Sequence, residues 1–452
     1  MEYFKASGRW HPFDEPENIV AGTLEYDSNG IHLNLLGSFH QGFFTDPETF
    51  PLIHGLVKDC PYGAFVTLPE CYSVGTGFNM VAIRSQEIRC TRAGIGNFHL
   101  SEGLSRFKSL ELAFSHLTEW AGRGGLHAEW RLPDLKTYTA SYHKQPGTSF
   151  TFGDKTLFLG YQFNASETLG SVSLTESARL VIEPVGDLSP TSLGEEHVRL
   201  FQNFISFATD RPNQVDQIAY RAEKDDGGGT AMLNLIYDPI FQLKGEKKRL
   251  GPHEMLYTHE DSTAAGLNVF RNWYDFSERH PEFCTVYFGH MYAEPKYLDE
   301  KFAKTLVAFR FLCMSPEGAS ENTRRFLAAS EAALNANFSE EERRLLGHVL
   351  PTEAEVEMPL ALLAKLRENA GFMGQVIDDF PNFVRSVADT LMFIDRRVEG
   401  DRPSLEGEAL YYAMEKIRML MKIIILEEIG FVEDKVKFMV DRNKFMNHLK
   451  TV

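Results

Sequence analysis

An arginine, an amide and a histidine lie close together near the end of the chain, at Arg442, Asn443 and His448. Side chains of these types can bind and cleave a phosphodiester without a metal. A guanidinium holds a phosphate through a planar fork of donors, and an imidazole can shuttle a proton near neutral pH. These three residues are therefore the candidate catalytic site, for which we expect no metal and no cofactor.

The element that must position these residues is a helix predicted from Val432 to Leu449. Arg442 and His448 lie about 120° apart around an ideal helix and about 9 Å apart along it. They can share one site only if long side chains converge, if the helix bends, or if a second subunit supplies half of the site. Asn443 falls in the apolar row of the helix, where a polar amide needs a hydrogen-bond partner. The competing interpretation is a solvated terminal helix without chemistry.

The composition indicates a globular chain with an ample core. Of its 452 residues, 43% are hydrophobic and 12% are aromatic, and this length favours about two to four domains. No uncharged apolar run is long enough for a membrane span, and the N-terminus lacks the apolar segment of a signal peptide. The five cysteines include no Cys-x-x-Cys pair, so reduced thiols are favoured over disulfides or zinc. We therefore expect a cytoplasmic protein with no membrane segment.

The formal net charge of −17 opposes the bulk attraction by which most nucleic-acid-binding proteins hold phosphate. An RNA-binding surface on this chain must therefore be a local basic cleft. The seam of a dimer is one place where a few arginines and lysines can be concentrated.

The first part of the chain contains the short apolar runs that are typical of strands. The segments 19–26 and 31–36 are joined by Asp27-Ser28-Asn29-Gly30, which is a hairpin turn signal. Further strand-like runs cover residues 64–68, 80–83, 149–152, 156–159, 178–182, 232–237 and 285–288. Helical periodicity appears at residues 195–209. We therefore predict a β-rich module over residues 1–295, which can divide into two subdomains near residues 190–215.

From about residue 297 the pattern becomes helical. Predicted helices span residues 298–312, 320–334, 359–369, 381–397, 404–429 and 432–449, and a further helix begins at Ser339. The helix at 404–429 is apolar nearly all round over its second half, so it should be central. Gly430 provides the left-handed residue that ends it. The predicted fold class is therefore α+β, with an all-α helical bundle over residues 296–452.

Two other motifs are explained without chemistry. Arg343 and Arg344 lie close to His348 in sequence, but a solvated helix face accounts for this group. His127-Ala128-Glu129 is similar to the first half of a zinc-deaminase site, but the required Pro-Cys-x-x-Cys is absent.

Several segments follow the order found in a known family. They are residues 8–12 (GRWHP), 21–26 (AGTLEY), 31–37 (IHLNLLG), 117–120 (LTEW), 200–208 (LFQNFISFA), 272–273 (NW), 408–412 (EALYY) and 424–430 (IILEEIG). Over nearly its full length the chain resembles the ApeA family of bacterial anti-phage proteins, which have a dedicated N-terminal domain and a C-terminal HEPN domain. The resemblance implies that residues 296–452 form a HEPN-like bundle. An arginine followed by a histidine after four to six residues is also the signature of the HEPN ribonucleases.

The chain departs from the family pattern in the stretch from Asp389 to Arg396. Many relatives have Asp-Thr-Arg-Asn-Tyr-x-Thr-His at this place. Here the positions of the Arg, Asn and His are occupied by Leu391, Met392 and Arg396. Because Leu391 extends an apolar stripe, we expect it to be an ordinary core residue.

Two outcomes remain open after this substitution. Catalysis has moved to Arg442 and His448, with Arg396, Arg397 and Lys444 as phosphate contacts for RNA, or the HEPN fold persists without cleavage. We favour the first outcome as the working hypothesis.

The resemblance implies anti-phage defence by abortive infection, through metal-independent endonucleolytic cleavage of cellular RNA, with tRNA as one candidate. His448 would act as the general base or acid, Arg442 would stabilise the phosphorane, and Asn443 would orient the phosphate or the imidazole. HEPN sites usually form at a two-fold seam, so we expect a homodimer through the C-terminal helices. The N-terminal module would sense a phage trigger or restrain the nuclease. The alternatives are a catalytically inactive HEPN-like dimer that binds RNA or a phage component, and a nuclease whose site lies elsewhere in the bundle.

Overall fold

The computed structural model describes residues 3–39, 49–78, 84–101, 105–122, 124–130, 138–152, 154–194, 197–223, 230–237, 248–293, 296–313, 353–396 and 404–451. Several sequence predictions lie outside these residues. They are the strand-like run 80–83, the helix at 320–334, the helix that begins at Ser339, the group of Arg343, Arg344 and His348, and the phosphate contact Arg397.

Strands dominate the first compact unit, which comprises residues 1–251 and 258–260. They are β1 (Phe4–Pro12), β2 (Val20–Asp27), β3 (Gly30–Leu35), β4 (Thr49–Val57), β5 (Phe65–Phe78), β6 (Arg84–Cys90), β7 (Arg92–Gly96), β8 (Ser105–Phe114), β9 (Leu126–Trp130), β10 (Tyr138–Tyr142), β11 (Thr148–Phe152), β12 (Lys155–Thr168), β13 (Ser171–Glu183), β14 (Gly186–Leu188), β15 (Val215–Glu223) and β16 (Thr230–Tyr237). Within the described ranges, fourteen of these strands share one antiparallel sheet, and β9 with β10 forms a separate hairpin. The predicted β-rich N-terminal module is therefore confirmed.

Six strands of the large sheet close into a ring in the order β5-β4-β1-β2-β3-β6, because β6 pairs back with β5. Alternate side chains point into the ring, where Trp10 and Leu33 are fully buried. The predicted turn joins β2 to β3. There, Oδ1 of Asp27 accepts the backbone N–H of Asn29 at 2.7 Å, and Gly30 adopts a φ of 107°, which favours glycine.

Strand β5 belongs both to the ring and to the rest of the sheet. Its residues 65–67 pair with β7, whereas its residues 72–78 pair with β6. A register shift between Ser73 and Gly75 leaves Val74 as an extra residue. Bulges of this kind bend a strand and increase its twist, so β5 can follow the closed ring after it leaves β7.

The open part of the sheet has the strand order β11-β12-β13-β8-β15-β16-β7. Two helices pack on one face of it, α1 (Leu117–Ala121) and α2 (His197–Ala208). The ring of Phe201 in α2 packs edge-on against the ring of Phe152 in β11, with the ring centroids 5.7 Å apart. The segment 190–215, where the sequence predicts a break between subdomains, therefore contains a helix that packs inside this unit.

Two histidines stack in the first unit. The rings of His54 and His99 are parallel with centroids 4.2 Å apart, His11 meets His54 edge-on, and Phe65 meets His99 in the same way. His54 Nε2 donates to the carbonyl oxygen of Leu100 at 2.9 Å. Burial, reinforced by the neighbouring His54, lowers the pKa of His99 to about 4. Both rings therefore pack as neutral groups at neutral pH.

We expect this pair to make the protein less stable in acid. The unfolded chain takes up a proton at His99 near the ordinary histidine pKa of about 6.5, whereas the folded protein resists protonation until about pH 4. The free energy of unfolding should therefore fall as the pH drops from about 6.5 towards 4. Urea unfolding at about pH 7.5 and about pH 5 measures this loss.

The variant His99→Phe keeps an aromatic ring against His54 and cannot titrate, so its loss of stability in acid should be smaller. His143→Phe serves as the control because His143 is exposed. An equal loss of stability in the wild type and in His99→Phe would contradict this assignment.

Helices dominate the second compact unit, which comprises residues 252–257 and 261–452. After α3 (His259–Ala264), the described helices are α4 (Val269–Arg279), α5 (Pro281–Tyr292), α6 (Leu298–Cys313), α7 (Glu353–Glu368), α8 (Ala370–Met373), α9 (Phe380–Arg396), α10 (Gly407–Glu428), α11 (Glu433–Arg442) and α12 (Lys444–His448). The predicted α+β class, with a β-rich part followed by a helical part, is therefore confirmed.

The longest described helix, α10, lies in the core of this unit as the sequence predicts. Its second half is buried nearly all round, including Leu420, Ile423 and Ile425, and it packs against α6 and α11. Gly430 follows with a φ of 102°, which is the predicted left-handed ending.

One strand prediction is wrong. Residues 285–288 (TVYF) lie within helix α5. The run is rich in residues with high β-propensity, but Phe283, Tyr287, Phe288 and Tyr292 recur at helical spacing and are buried on one side of α5. Pro281 also occupies the first position of the helix, where its fixed φ is favourable.

The compact units divide at residues 251–261, whereas the sequence predicts a boundary near residue 295. Helices α4 and α5 therefore fall in the second unit. None of the described helices has the length and hydropathy needed to cross a membrane.

Candidate functional site

The predicted helix from Val432 to Leu449 is broken in two at Asn443. Helix α11 ends at Arg442 and α12 begins at Lys444, because Asn443 has an extended backbone with φ −72° and ψ 118°. The prediction of one continuous helix is therefore wrong. Arg442 and His448 therefore lie in different helices, and the angle of about 120° calculated for a straight helix does not apply to them.

The side chain of Asn443 explains this break. Its Oδ1 accepts the backbone N–H groups of Phe445 and Met446 at 3.1 and 3.0 Å, which is the geometry of a helix N-cap. Its Nδ2 donates to the carbonyl oxygen of Met255 at 3.2 Å, and the residue is only 2% exposed. The hydrogen-bond partner that the sequence demands is therefore supplied within the chain.

We expect Asn443→Ala to lower the free energy of unfolding of the second unit by about 2 kcal/mol. The variant loses both capping hydrogen bonds and leaves the Met255 carbonyl oxygen buried without its amide donor. Urea unfolding measures the loss. Asn447→Ala in the same short helix is the control, since Asn447 is exposed, and its effect should be small. A comparable loss in both variants would show that the cap is not what stabilises this region.

The guanidinium of Arg442 is held by a carboxylate. Nη1 and Nη2 donate to the two oxygens of Asp261 at 2.9 and 2.6 Å. The Arg442 side chain is 20% exposed and that of Asp261 is 13% exposed. The guanidinium also lies over the ring of Phe438, 5.3 Å from its centroid. This is the bidentate geometry by which arginine also holds phosphate.

His448 ends α12 and is exposed to solvent. Its ring lies 6.4 Å from the ring of Tyr412, measured between centroids, and Nδ1 is 3.4 Å from the hydroxyl oxygen of Thr451. The described contacts of His448 do not include Arg442. Within one chain, the structure therefore brings Arg442 and Asn443 together but joins neither side chain to the imidazole.

The predicted phosphate contacts are only partly described. Lys444 is the first residue of α12 and is exposed. Arg396 is the last residue of α9, and Arg397 lies outside the described residues. The family motif positions lie on the same helix α9, where Leu391 is half-buried and Met392 is exposed. The prediction that Leu391 is an ordinary core residue is therefore only partly correct.

Two residues of this site escape sequence reasoning. Asp261 precedes its partner Arg442 by 181 positions, and Met255 precedes Asn443 by 188. No local motif marks either residue. In the described part of the chain, no group of three or more His, Cys, Asp or Glu side chains is arranged to hold a metal ion.

The fold and this site define an α+β protein in which a β-rich N-terminal part precedes a helical part that carries the candidate residues. Residues 5–273 match the family model described as ApeA N-terminal domain 1. The chain therefore belongs to the ApeA family, a family of anti-phage defence proteins. No curated protein and no solved structure shows a significant match to it.

Proposed function

We propose that this protein is an anti-phage effector that cleaves cellular RNA by a metal-independent, HEPN-type mechanism and so causes abortive infection. The proposal rests on the arrangement of Arg442, Asn443 and His448 in a chain that belongs to the ApeA family. Asn443 caps the short helix that exposes His448 to solvent, and the preceding residue, Arg442, holds the Asp261 carboxylate in the bidentate geometry that arginine also uses for phosphate. Candidate substrates are structured cellular RNAs, with tRNA first among them.

The chemistry requires one proton-transfer group and one cation. The ribose 2′-hydroxyl attacks the adjacent phosphorus while the imidazole of His448 accepts its proton. The guanidinium of Arg442 stabilises the charge on the phosphorane. The protonated imidazole of His448 then returns this proton to the 5′-oxygen as the P–O5′ bond breaks, which gives a 2′,3′-cyclic phosphate and a 5′-hydroxyl end. Because the amide of Asn443 is already used as a cap, Asn443 positions the helix of His448 and does not touch phosphate.

A second copy of the chain would complete the site. Within one chain, Arg442 and His448 share no contact among the described residues, and a two-fold seam could place the Arg442 of one copy beside the His448 of another. Val432, the N-cap residue of helix α11, and Phe438 within the helix are 66% and 55% accessible. These two side chains are available for contact with a second copy. We therefore propose a homodimer through the C-terminal helices.

The remaining predicted residues would bind the RNA backbone. Lys444 is exposed beside His448 in the same helix, so its ammonium could hold a phosphate next to the scissile one. Arg396 and Arg397 are proposed for the same role. The β-rich N-terminal part would sense a phage trigger or restrain the nuclease.

The proposed nuclease activity is tested by looking for cleaved RNA in cells and with the purified protein. Wild-type protein is expressed in bacteria with and without phage, and RNA ends are sequenced. The purified protein is then incubated with total tRNA with and without EDTA. We expect growth arrest, cleavage that EDTA does not prevent, and 2′,3′-cyclic phosphate ends. Cleavage that EDTA abolishes, or ends that carry a 5′-phosphate, would refute the metal-independent mechanism.

A second candidate function is a HEPN-like dimer that binds RNA or a phage component without cleaving it. Leu391 and Met392 at the family motif positions favour it, as does the pairing of Arg442 with Asp261. This candidate predicts phage protection with intact RNA and with no loss of protection when His448 is replaced.

A further inference from the structure

A cavity of about 400 Å³ lies on one face of the open part of the sheet in the first unit. Cross-strand pairing sets Phe158, Val181, Glu111 and Ala219 in one row across four strands. Because side chains alternate along each strand, residues two positions from this row share its face. The cavity lining therefore includes Arg179 of β13, Gln217 and Arg221 of β15, and Gln162 of β12.

The opposite face of the same strands is apolar. Leu112 of β8, Leu159 of β12, Leu180 of β13 and Ile218 of β15 are buried there. The polar and charged residues of the cavity lining therefore lie on the face opposite to this apolar row.

Positive charge is in excess in this cavity. Among the described residues of the lining, Glu111 is the one carboxylate, and it faces two guanidiniums. Its Oε1 lies 3.4 Å from Nε of Arg179, and its Oε2 lies 3.6 Å from Nη2 of Arg221. Lys144, in the loop between β10 and β11, adds a third cation to the lining. This local excess contrasts with the formal charge of −17 for the whole chain.

The most buried of these cations is Arg179, which pairs with Glu111 and whose Nη1 donates to the carbonyl oxygen of Ala178 at 3.0 Å. The Arg179 side chain is 19% exposed, and its Nε is buried without a hydrogen bond to any described atom. Burial lowers the pKa of the Arg179 guanidinium even though Glu111 and Asp216 act in the opposite direction. An anion in the cavity would stabilise this charge.

The remaining lining suits a planar group. The ring of Phe158 is 41% exposed and offers a surface on which a base can stack. A Cβ atom at Gly160 would lie 2.5 Å from Cε1 of Phe158, and a Cβ atom at Gly147 would also clash with this ring. The two glycines therefore leave room for Phe158 in its present position. The amides of Gln145, Gln162 and Gln217 in the lining can both donate and accept hydrogen bonds.

We propose that this cavity binds a small phosphorylated ligand of nucleotide size. The guanidiniums and the ammonium hold the phosphates, Phe158 stacks on the base, and the glutamine amides contact the edge of the base. The volume of about 400 Å³ lies in the range of roughly 300–1,000 Å³ that is typical of small-molecule sites. This site lies in the first unit and does not depend on the proposed nuclease activity.

Isothermal titration calorimetry on the full chain tests the phosphate contacts. The probes are ADP, pyrophosphate and adenosine, and the variants are Arg221→Gln and Lys144→Gln. Both side chains are solvent-accessible, so their replacement should leave the fold intact. We expect ADP to bind, adenosine to bind much more weakly, and each variant to weaken ADP binding roughly tenfold. Arg106→Gln is the control, because Arg106 lies on β8 of the same sheet, is 72% exposed and is outside the cavity lining.

The variant Phe158→Leu tests the contact with the base. It should weaken the binding of ADP but not of pyrophosphate. The proposal is overturned if neither ADP nor pyrophosphate binds, or if the cavity variants and Arg106→Gln have the same effect on ADP binding. If Phe158→Leu has no effect on ADP, the assignment to a nucleotide is overturned in favour of a bare anion.

Discussion

His448→Ala should abolish growth arrest and lower RNA cleavage by roughly 10²–10⁴-fold, the usual contribution of a positioned general acid or base. The imidazole is exposed at the end of α12. Its removal therefore deletes the proposed proton-transfer group without creating a cavity in the core. Cleavage of purified tRNA measures the effect, and thermal unfolding checks that the fold is intact.

The control is Asn447→Ala, which changes the adjacent exposed residue of the same helix and should leave cleavage unchanged. Added imidazole should partly restore the activity of His448→Ala if the lost group transfers a proton. Full cleavage by His448→Ala would remove His448 from the mechanism. Phage protection by His448→Ala without RNA cleavage would favour the non-catalytic dimer.

Breaking the pair of Arg442 and Asp261 should have the largest effect on stability. Asp261→Ala leaves a mostly buried guanidinium without its carboxylate. The loss of one partner of a buried ion pair costs about 3–5 kcal/mol. Since both side chains keep some exposure, we expect about 2–3 kcal/mol after discounting for solvent screening. Urea unfolding of Asp261→Ala, Arg442→Ala and the double variant gives the coupling energy between the two residues.

The same pair predicts a change in activity. A phosphate must compete with Asp261 for Nη1 and Nη2 of Arg442, because both nitrogens already donate to the carboxylate. Asp261→Asn keeps the size of the side chain and removes its charge, so the proposed RNA cleavage should rise. Arg442→Leu should lose cleavage. A coupling energy below about 0.5 kcal/mol, or unchanged cleavage in Asp261→Asn, would contradict the assignment of Asp261 as the group that restrains Arg442.

The features that sequence predicted well have local causes. The turn after Asp27 is encoded by its own residues, since the Asp27 carboxylate accepts the backbone N–H of Asn29 and Gly30 supplies the positive φ angle. The position of α10 follows from apolar residues all round the helix, and Gly430 encodes the end of the helix.

The features that sequence missed depend on distant partners. In the sequence, Asn443 falls in the apolar row of a predicted continuous helix, and its hydrogen bond to Met255 is visible only in the fold. The run 285–288 has the composition of a strand, and only its packing within the second unit makes it helical. Arg442 is paired with Asp261, which has no motif in common with it. Residue type therefore supplies the candidates Arg442, Asn443 and His448, while the partners of these side chains could be found only from the fold.

Strand β5 links the closed ring of the first unit to the open part of its sheet. The backbone of β5 forms hydrogen bonds with β7 at its start and with β6 at its end. Unfolding of β5 would therefore disrupt both the closed ring and the open part of the sheet. A truncation that separates them would leave each fragment with an unpaired edge. The first unit should therefore unfold in one cooperative transition. A fragment of the chain made for expression should include the whole of this unit.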